Sequence, residues 1–241
     1  MTTANVTPAS TTAAGGPGPS TWIVIAAYNE SETIAEVLSG LAGNGCGVVV
    51  VDDGSRDDTL AIALKSGAHA VRHPINLGQG AALQTGIEYA LRRDAAVIVT
   101  FDADGQHLAS DIDPLVDTLI RSGADLACGS RFLGQTENMP RLRRATLKLA
   151  TAFTFLSTGL RMTDAHNGLR AMTRSCAQRL KIRQNRMAHA SEIIHEAARL
   201  KLRLVEVPVT IRYSEYSLRK GQKLSNSLNI LMDLLIKRLY R

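Results

Sequence analysis

Cysteine is scarce. The three in this chain of 241 residues, Cys46, Cys128 and Cys176, have neither the spacing of a metal site nor the even count of a disulfide framework. That usage fits a reducing cytoplasm. Aromatic residues make up only 4% of the chain and no nucleic-acid reader motif is present, so no nucleic-acid partner is expected. No stretch approaches the about 20 consecutive apolar residues that span a bilayer. The nearest, Leu147 to Leu160, is short and interrupted by Thr and Ser. Residues 1–20 consist of Thr, Ala, Gly, Pro and Ser with a few apolar residues and no charged side chain. They lack the basic start and apolar centre of a secretory signal and predict a disordered tail.

What is present suits a single α/β domain: 45% of residues are hydrophobic, enough for a substantial core. The net charge of +6 conceals an asymmetry. Residues 1–120 hold five basic and fourteen acidic side chains, net −9, and the remainder holds 23 and eight, net +15. The first half can hold cations and the second anions, whether nucleic acid, the phosphates of a small donor or an anionic membrane.

Short β-branched runs alternate with helical patterns. Trp22 to Ala26, Gly47 to Val51 and Ala96 to Phe101 read as buried strands, and Ala70 to Arg72 as another. Asn29 with Glu32, and Ser55 with Asp58, have the spacing of helix-capping pairs. A third helix is expected from about Gly80 to Leu91, and a basic one from near Arg141. Leu204 to Ile211 alternates and contains Pro208, which predicts an edge strand. Alternation at this spacing implies a mostly parallel sheet, whose ligands bind at the carboxyl ends of its strands.

Asp102-Ala103-Asp104-Gly105-Gln106-His107 follows one such strand. Carboxylates at i and i+2 beside a turn glycine can converge on a hard cation, Mg²⁺ or Mn²⁺, that completes its shell with water and phosphate. The bland alternative is a pair of loop or capping aspartates. At the end of the second strand, Asp53 is the expected ligand for ribose or base, with Tyr28, Asn29 and Glu30 alongside. Asn76 to Ala82 brings glycines to a helix start, where free N–H groups favour anions; a close-packed turn is the alternative. Arg131 and Arg170 lie beside glycines in the basic half and could fork onto phosphate, or could form structural salt bridges. His107, His166 and His189 lack ligand spacing and read as polar packing residues.

Four motifs in this order, Ile25 to Glu30, Val50 to Ser55, Asn76 to Gly80 and Asp102 to His107, resemble those of family 2 glycosyltransferases of the GT-A fold. The similarity runs from about Trp22 to Thr173 and points to the dolichol- and polyprenyl-phosphate sugar synthases. It implies a Rossmann-like sheet flanked by helices, inverting transfer from a UDP- or GDP-sugar, and Mg²⁺ or Mn²⁺. By this resemblance Ala26, Tyr28, Glu30, Asp53, Gly80, Asp102, Ala103 and Asp104 would bind the nucleotide sugar, and Asp102, Asp104 and Gln106 the metal. Asp104, Asp164, Arg131, Arg170 and Glu192 would serve the reaction, the arginines gripping phosphate. Ala26 departs from the family's usual proline. A hydroxyl acceptor would need a base, for which Asp164 and Glu192 are candidates; an anionic phosphate acceptor would not.

The expected layout is a catalytic domain over 21–212, with a nucleotide half at 21–129 and an acceptor half at 130–212, then a basic loop and amphipathic helix over 213–241. That last helix suits a membrane interface or docking on protein. The expected setting is cytoplasmic and peripheral at the inner face of the cell membrane, with a membrane-protein partner or homo-oligomer also compatible. Transfer to polyprenyl phosphate leads, to a hexosyl or N-acetylhexosaminyl product. A glycan or other hydroxyl acceptor, and a non-catalytic sugar-nucleotide scaffold, are the alternatives.

Overall fold

A computed structural model describes residues 20–186, 188–214 and 216. The expected tail over 1–19, the basic loop and the C-terminal helix lie outside the described residues.

The first strand, β1 (Thr21–Ala27), is followed by α1 (Ile34–Leu41), β2 (Gly47–Asp52), α2 (Thr59–Lys65), β3 (His69–Arg72), α3 (Gln79–Arg92) and β4 (Val97–Asp102). Next come α4 (Ile112–Ser122), β5 (Leu126–Glu137), α5 (Arg141–Thr158), β6 (Arg170–Thr173), α6 (Arg174–Arg179), α7 (His189–Arg199) and β7 (Leu204–Arg212). The described strands form one sheet in the order β3-β2-β1-β4-β6-β5-β7. Strands β1 to β4 are parallel, as is the β5–β7 pair. The strand containing Pro208 does lie at the edge, where its missing N–H costs no ladder bond on the outer side.

Burial on both faces explains why the central strands read as unbroken apolar runs. Along β1, Ile23 and Ile25 enter one core with Ile34, Leu41, Ile112 and Leu115, while Trp22 and Val24 enter another with Leu83, Ile87 and Ile193. Each such side chain contributes about 1.5–3 kcal/mol through burial.

The capping pairs are corrected by the structure. Helix α1 begins at Ile34 after Thr33, α2 at Thr59 after Asp58, and neither cap makes a side-chain bond. Ser55 Oγ instead accepts from Asn29 N at 2.9 Å, and Asn29 Oδ1 accepts from Arg56 N at 2.8 Å. These polar residues tie the ends of β1 and β2 together. The tertiary partner outcompetes the local one because both turns leave the same sheet edge.

Strand β6 positions the site. It runs antiparallel to both β4 and β5, so its first residues reach the carboxyl end of β4, with Arg170 opposite Thr100. Thr100 Oγ1 donates to Gly168 O at 2.7 Å, fixing Gly168 beside Asp102.

Candidate active site

Asp102 ends β4 with Ala26 of β1 as its register neighbour. Its Oδ1 accepts from Gln79 Nε2 at 3.2 Å, and its Oδ2 lies 3.0 Å from His107 Nε2. Burial works to raise its pKa, but the His107 hydrogen bond and the charges of His107, His189 and Arg170 hold it below the carboxylate range. Asp104 behaves oppositely. Burial, reinforced by Asp102 and Glu30, pushes its carboxyl up to about 6 against the favourable effects of His107 and the Gln106 N–H. Gln106 N donates to Asp104 Oδ1 at 3.1 Å, and the buried Gln106 accepts from Arg212 N through its carbonyl at 3.0 Å. Ala103 points into the core while its carbonyl accepts from Thr33 Oγ1 at 2.8 Å. Glu30 Oε2 accepts from Tyr216 at 2.8 Å and from Thr33 at 3.2 Å. The turn is therefore pinned from α1 and from β7, and it holds more carboxylate charge than its surroundings neutralise. Oxygen donors in that state fit a hard cation.

Gly168 makes this packing possible. A Cβ built there would lie 2.1 Å from Asp102 Oδ2 and 2.7 Å from its Cγ. Gly168→Ala is expected to push the Asp102 carboxylate aside and lower turnover by roughly 100-fold, the penalty typical of misplacing a reacting group by about 1 Å. Turnover of the purified variant checks this, and activity near wild type would show that the position of Asp102 is uncritical.

The nucleoside residues divide. Tyr28 and Glu30 flank the end of β1, as expected. Asp53 turns inward: Oδ1 meets His73 Nδ1 at 2.7 Å and Leu77 N at 2.9 Å, and Oδ2 accepts from Gly78 N at 2.7 Å. The carboxylate thus organises the 77–78 turn. Its neighbour Asp52 retains a buried Oδ2 without a hydrogen bond among the described residues, 3.5 Å from Arg72 Nε.

The α3 start is likewise taken. Asn185 O accepts from Gly80 N at 2.8 Å and from Ala81 N at 3.4 Å. A Cβ on Gly80 would meet the backbone carbonyl of Gln184, so the glycine makes room for the 184–185 segment. Glu192 braces that segment from behind, accepting from Arg183 N at 3.0 Å and Gln184 N at 2.8 Å.

On the far side, Arg131 is buried. Its Nε lies 2.5 Å from Asp164 Oδ2, Nη1 donates to Tyr213 Oη at 2.8 Å, and Nη2 donates to His166 O at 3.3 Å. Asp164 is only 1% exposed. Arg170 is also buried and donates to Ala165 O at 3.2 Å and Ala190 O at 3.3 Å. Of the two readings of these arginines, the structural one describes their contacts. Burial and the neighbouring Arg170 push the His166 imidazole down to about 4, and burial also lowers His189, so both are neutral near pH 7. Sequence reasoning missed Glu206, which accepts from Thr163 N and Asp164 N, as well as Tyr213, Gln79 and His73. Gln79 falls inside the Asn76 to Gly80 motif without a role of its own there, and the others carry no local signal, because each acts on a segment distant in the chain.

A carboxylate turn at the carboxyl edge of a mostly parallel sheet, completed by one antiparallel strand, is the arrangement of a GT-A glycosyltransferase. The chain belongs to glycosyl transferase family 2, whose family model matches residues 22–180. It is 32% identical over 237 residues to UDP-N-acetylglucosamine–dolichyl-phosphate N-acetylglucosaminyltransferase of Methanococcus voltae, covering 89% of this chain and 94% of the relative. It is 30% identical over 218 residues to polyprenol monophosphomannose synthase of Mycolicibacterium smegmatis, covering 85% and 82%. These relatives place it in the polyprenyl-phosphate sugar synthase branch. Among solved structures, glucosyl-3-phosphoglycerate synthase of Mycobacterium tuberculosis in complex with Mn²⁺ and UDP-glucose matches with a TM-score of 0.71 at 20% identity, covering 92% of this chain and 79% of that one. That likeness establishes the fold.

Proposed function

We propose that this glycosyltransferase moves a sugar from a UDP- or GDP-sugar to polyprenyl phosphate, with residues 21–129 forming the donor half and 130–212 the acceptor half. The observation that carries the acceptor class is the state of the two candidate bases. Asp164 is sealed in an ion pair with Arg131, and Glu192 Oε2 is turned to two backbone N–H groups of the 183–184 segment. Neither is placed to take a proton from a hydroxyl, whereas a phosphate monoester is already anionic near pH 7. The names of the relatives support the same acceptor class.

Asp102 and Asp104 would hold Mg²⁺ or Mn²⁺, with Gln106 supporting the turn through its backbone. When bound, the ion supplies charge stabilisation to the departing diphosphate. In the reaction an acceptor phosphate oxygen forms the new bond to the anomeric carbon. The bond from that carbon to the donor diphosphate breaks, and the electron pair leaves with the diphosphate. Arg131 and Arg170 hold the 164–166 segment in place, and Arg170 adds fixed positive charge to the acceptor side. Arg183 and Arg186, exposed on the segment seated over α3, offer guanidinium groups to phosphate. No helix among the described residues is long and apolar enough to cross a membrane.

The test is transfer from a panel of UDP- and GDP-sugars to polyprenyl phosphate, free sugars and oligosaccharides, with Mn²⁺ or with chelator. Lipid-linked product with one donor, lost on chelation, is expected. Transfer to hydroxyl acceptors alone would refute the acceptor assignment, and full activity in chelator would refute the metal.

A further inference from the structure

His189 uses only one of its two ring nitrogens for packing. Its Nδ1 lies 2.9 Å from Arg186 O. A carbonyl oxygen can only accept, so Nδ1 carries the proton of that bond. Burial and the charge of Arg170 lower the pKa of the imidazole, and in the neutral ring Nε2 is a bare acceptor. Nε2 makes no hydrogen bond among the described residues, although His189 is buried. An acceptor buried without a donor costs free energy that a ligand's donor would recover.

The position of the ring selects the ligand. His189 opens α7, and its Cβ lies 2.9 Å from where a Cβ on Gly80 would stand, against the start of α3. His189 and Arg170 both act electrostatically on Asp102. The next residues of α7 meet the other wall: Ala190 O accepts from Arg170 Nη2 at 3.3 Å, and Ser191 Oγ lies 3.1 Å from His166 Nε2. The first turn of α7 therefore sits between the acidic turn after β4 and the 164–166 segment. In the proposed reaction the diphosphate is held at the first and the acceptor phosphate arrives along the second, so the transferred sugar occupies the interval. The carboxylates around that interval are engaged: Asp102 with Gln79 and His107, Asp164 with Arg131, and Glu192 with the 183–184 backbone. A sugar hydroxyl needs an acceptor for its proton, and Nε2 supplies one.

We propose that His189 is a specificity-determining residue whose Nε2 accepts a hydrogen bond from one hydroxyl of the transferred sugar. A neutral ring has no second proton to donate, so Nε2 favours a hydroxyl over a hydrogen, a carbonyl or a carboxylate at that place. The assignment rests on the reading of this chain as a nucleotide-sugar transferase, and it holds whether UDP or GDP carries the sugar.

Turnover is measured on the full chain with Mn²⁺ for UDP-glucose, UDP-N-acetylglucosamine and GDP-mannose, and for the singly deoxygenated analogues of whichever is consumed. Wild type is expected to lose ~100-fold in kcat/KM with one analogue. In His189→Phe the parent donor should fall to the level of that analogue, leaving the two within ~3-fold, while the remaining analogues keep their wild-type ratios. His189→Gln should recover part of the loss with the parent, since its amide oxygen can accept. Titration calorimetry with bare UDP or GDP and Mn²⁺ should give all three proteins the same Kd within ~2-fold, which a collapsed cleft would not. An undiminished penalty for every analogue in His189→Phe, or a loss of bare-nucleotide affinity, overturns the proposal. If His189→Phe does not fold, His189→Leu takes its place and is judged by the same outcomes. A wild type that uses a donor but is indifferent to each of its hydroxyls refutes the role of His189 alone. One that consumes no donor of the panel refutes the transferase reading, and this assignment with it.

Discussion

Asp104→Asn is expected to abolish transfer while leaving the protein at least as stable as wild type. The Asp104 carboxyl is pushed up from the usual carboxylate range to about 6, because burial and the charges of Asp102 and Glu30 oppose its ionisation. The folded state then binds this proton more tightly than the unfolded chain does. Ionised Asp104 therefore detracts from stability above about pH 6, and the penalty fades as pH falls toward 4. Discounted for partial solvent access, that elevation corresponds to ~1–2 kcal/mol. Asparagine removes the repulsion, so the variant should melt at or above the wild-type temperature at pH 7.5, with the two curves converging near pH 4.

The same carboxylate would be the centre of the cation site, and its loss should lower turnover by ~100- to 1000-fold or more. Mn²⁺ should stabilise wild type at pH 7.5 and much less at pH 5, where protons compete for Asp104, and should do nothing for the variant. Thermal melts with and without Mn²⁺ across that range, beside a turnover assay, read both effects. Near-normal turnover in the variant, or an unchanged response to Mn²⁺, would remove Asp104 from the site.

Arg131→Ala should act mainly on the fold. It strands Asp164, whose surroundings are closed to water, and it frees Tyr213 Oη from its donor. Removing one member of a buried ion pair costs about 3–5 kcal/mol, which for a domain of this size corresponds to a fall in melting temperature of roughly 6–20 °C. Asp164→Ala should cost a similar amount. Arg131→Met combined with Asp164→Leu should cost clearly less than the two alanine changes summed, because no lone charge is left behind. Thermal melts of the four proteins decide the matter. If Arg131→Ala melted with wild type and instead raised the acceptor KM, the guanidinium would be a phosphate ligand after all.

Much of the architecture was legible one segment at a time. The strands leading to Asp52 and Asp102, the edge strand with Pro208 and the basic helix starting at Arg141 all follow from short-range pattern. The direction of β6 was not. Four residues, Arg170 to Thr173, carry no sign of whether they run with or against β4, and that direction alone delivers Gly168 to Asp102. Nor were the partners of the polar residues at the strand ends legible. Ser55 serves the β1 turn instead of capping a helix, Asp53 serves the 77–78 turn, and Gly80 makes room for the 184–185 segment.

The division has one physical cause. Hydrophobic period, turn chemistry and the carboxylate pair at i and i+2 are properties of neighbours along the chain, so the chain by itself determined the alternating α/β order and the place of the acidic turn. A hydrogen-bond partner is a property of neighbours in space. Whether Arg131 faces a ligand or Asp164, which aspartate at the end of β2 keeps an oxygen without a hydrogen bond among the described residues, and that α5 turns its leucines outward were decided only when segments far apart in the chain packed together.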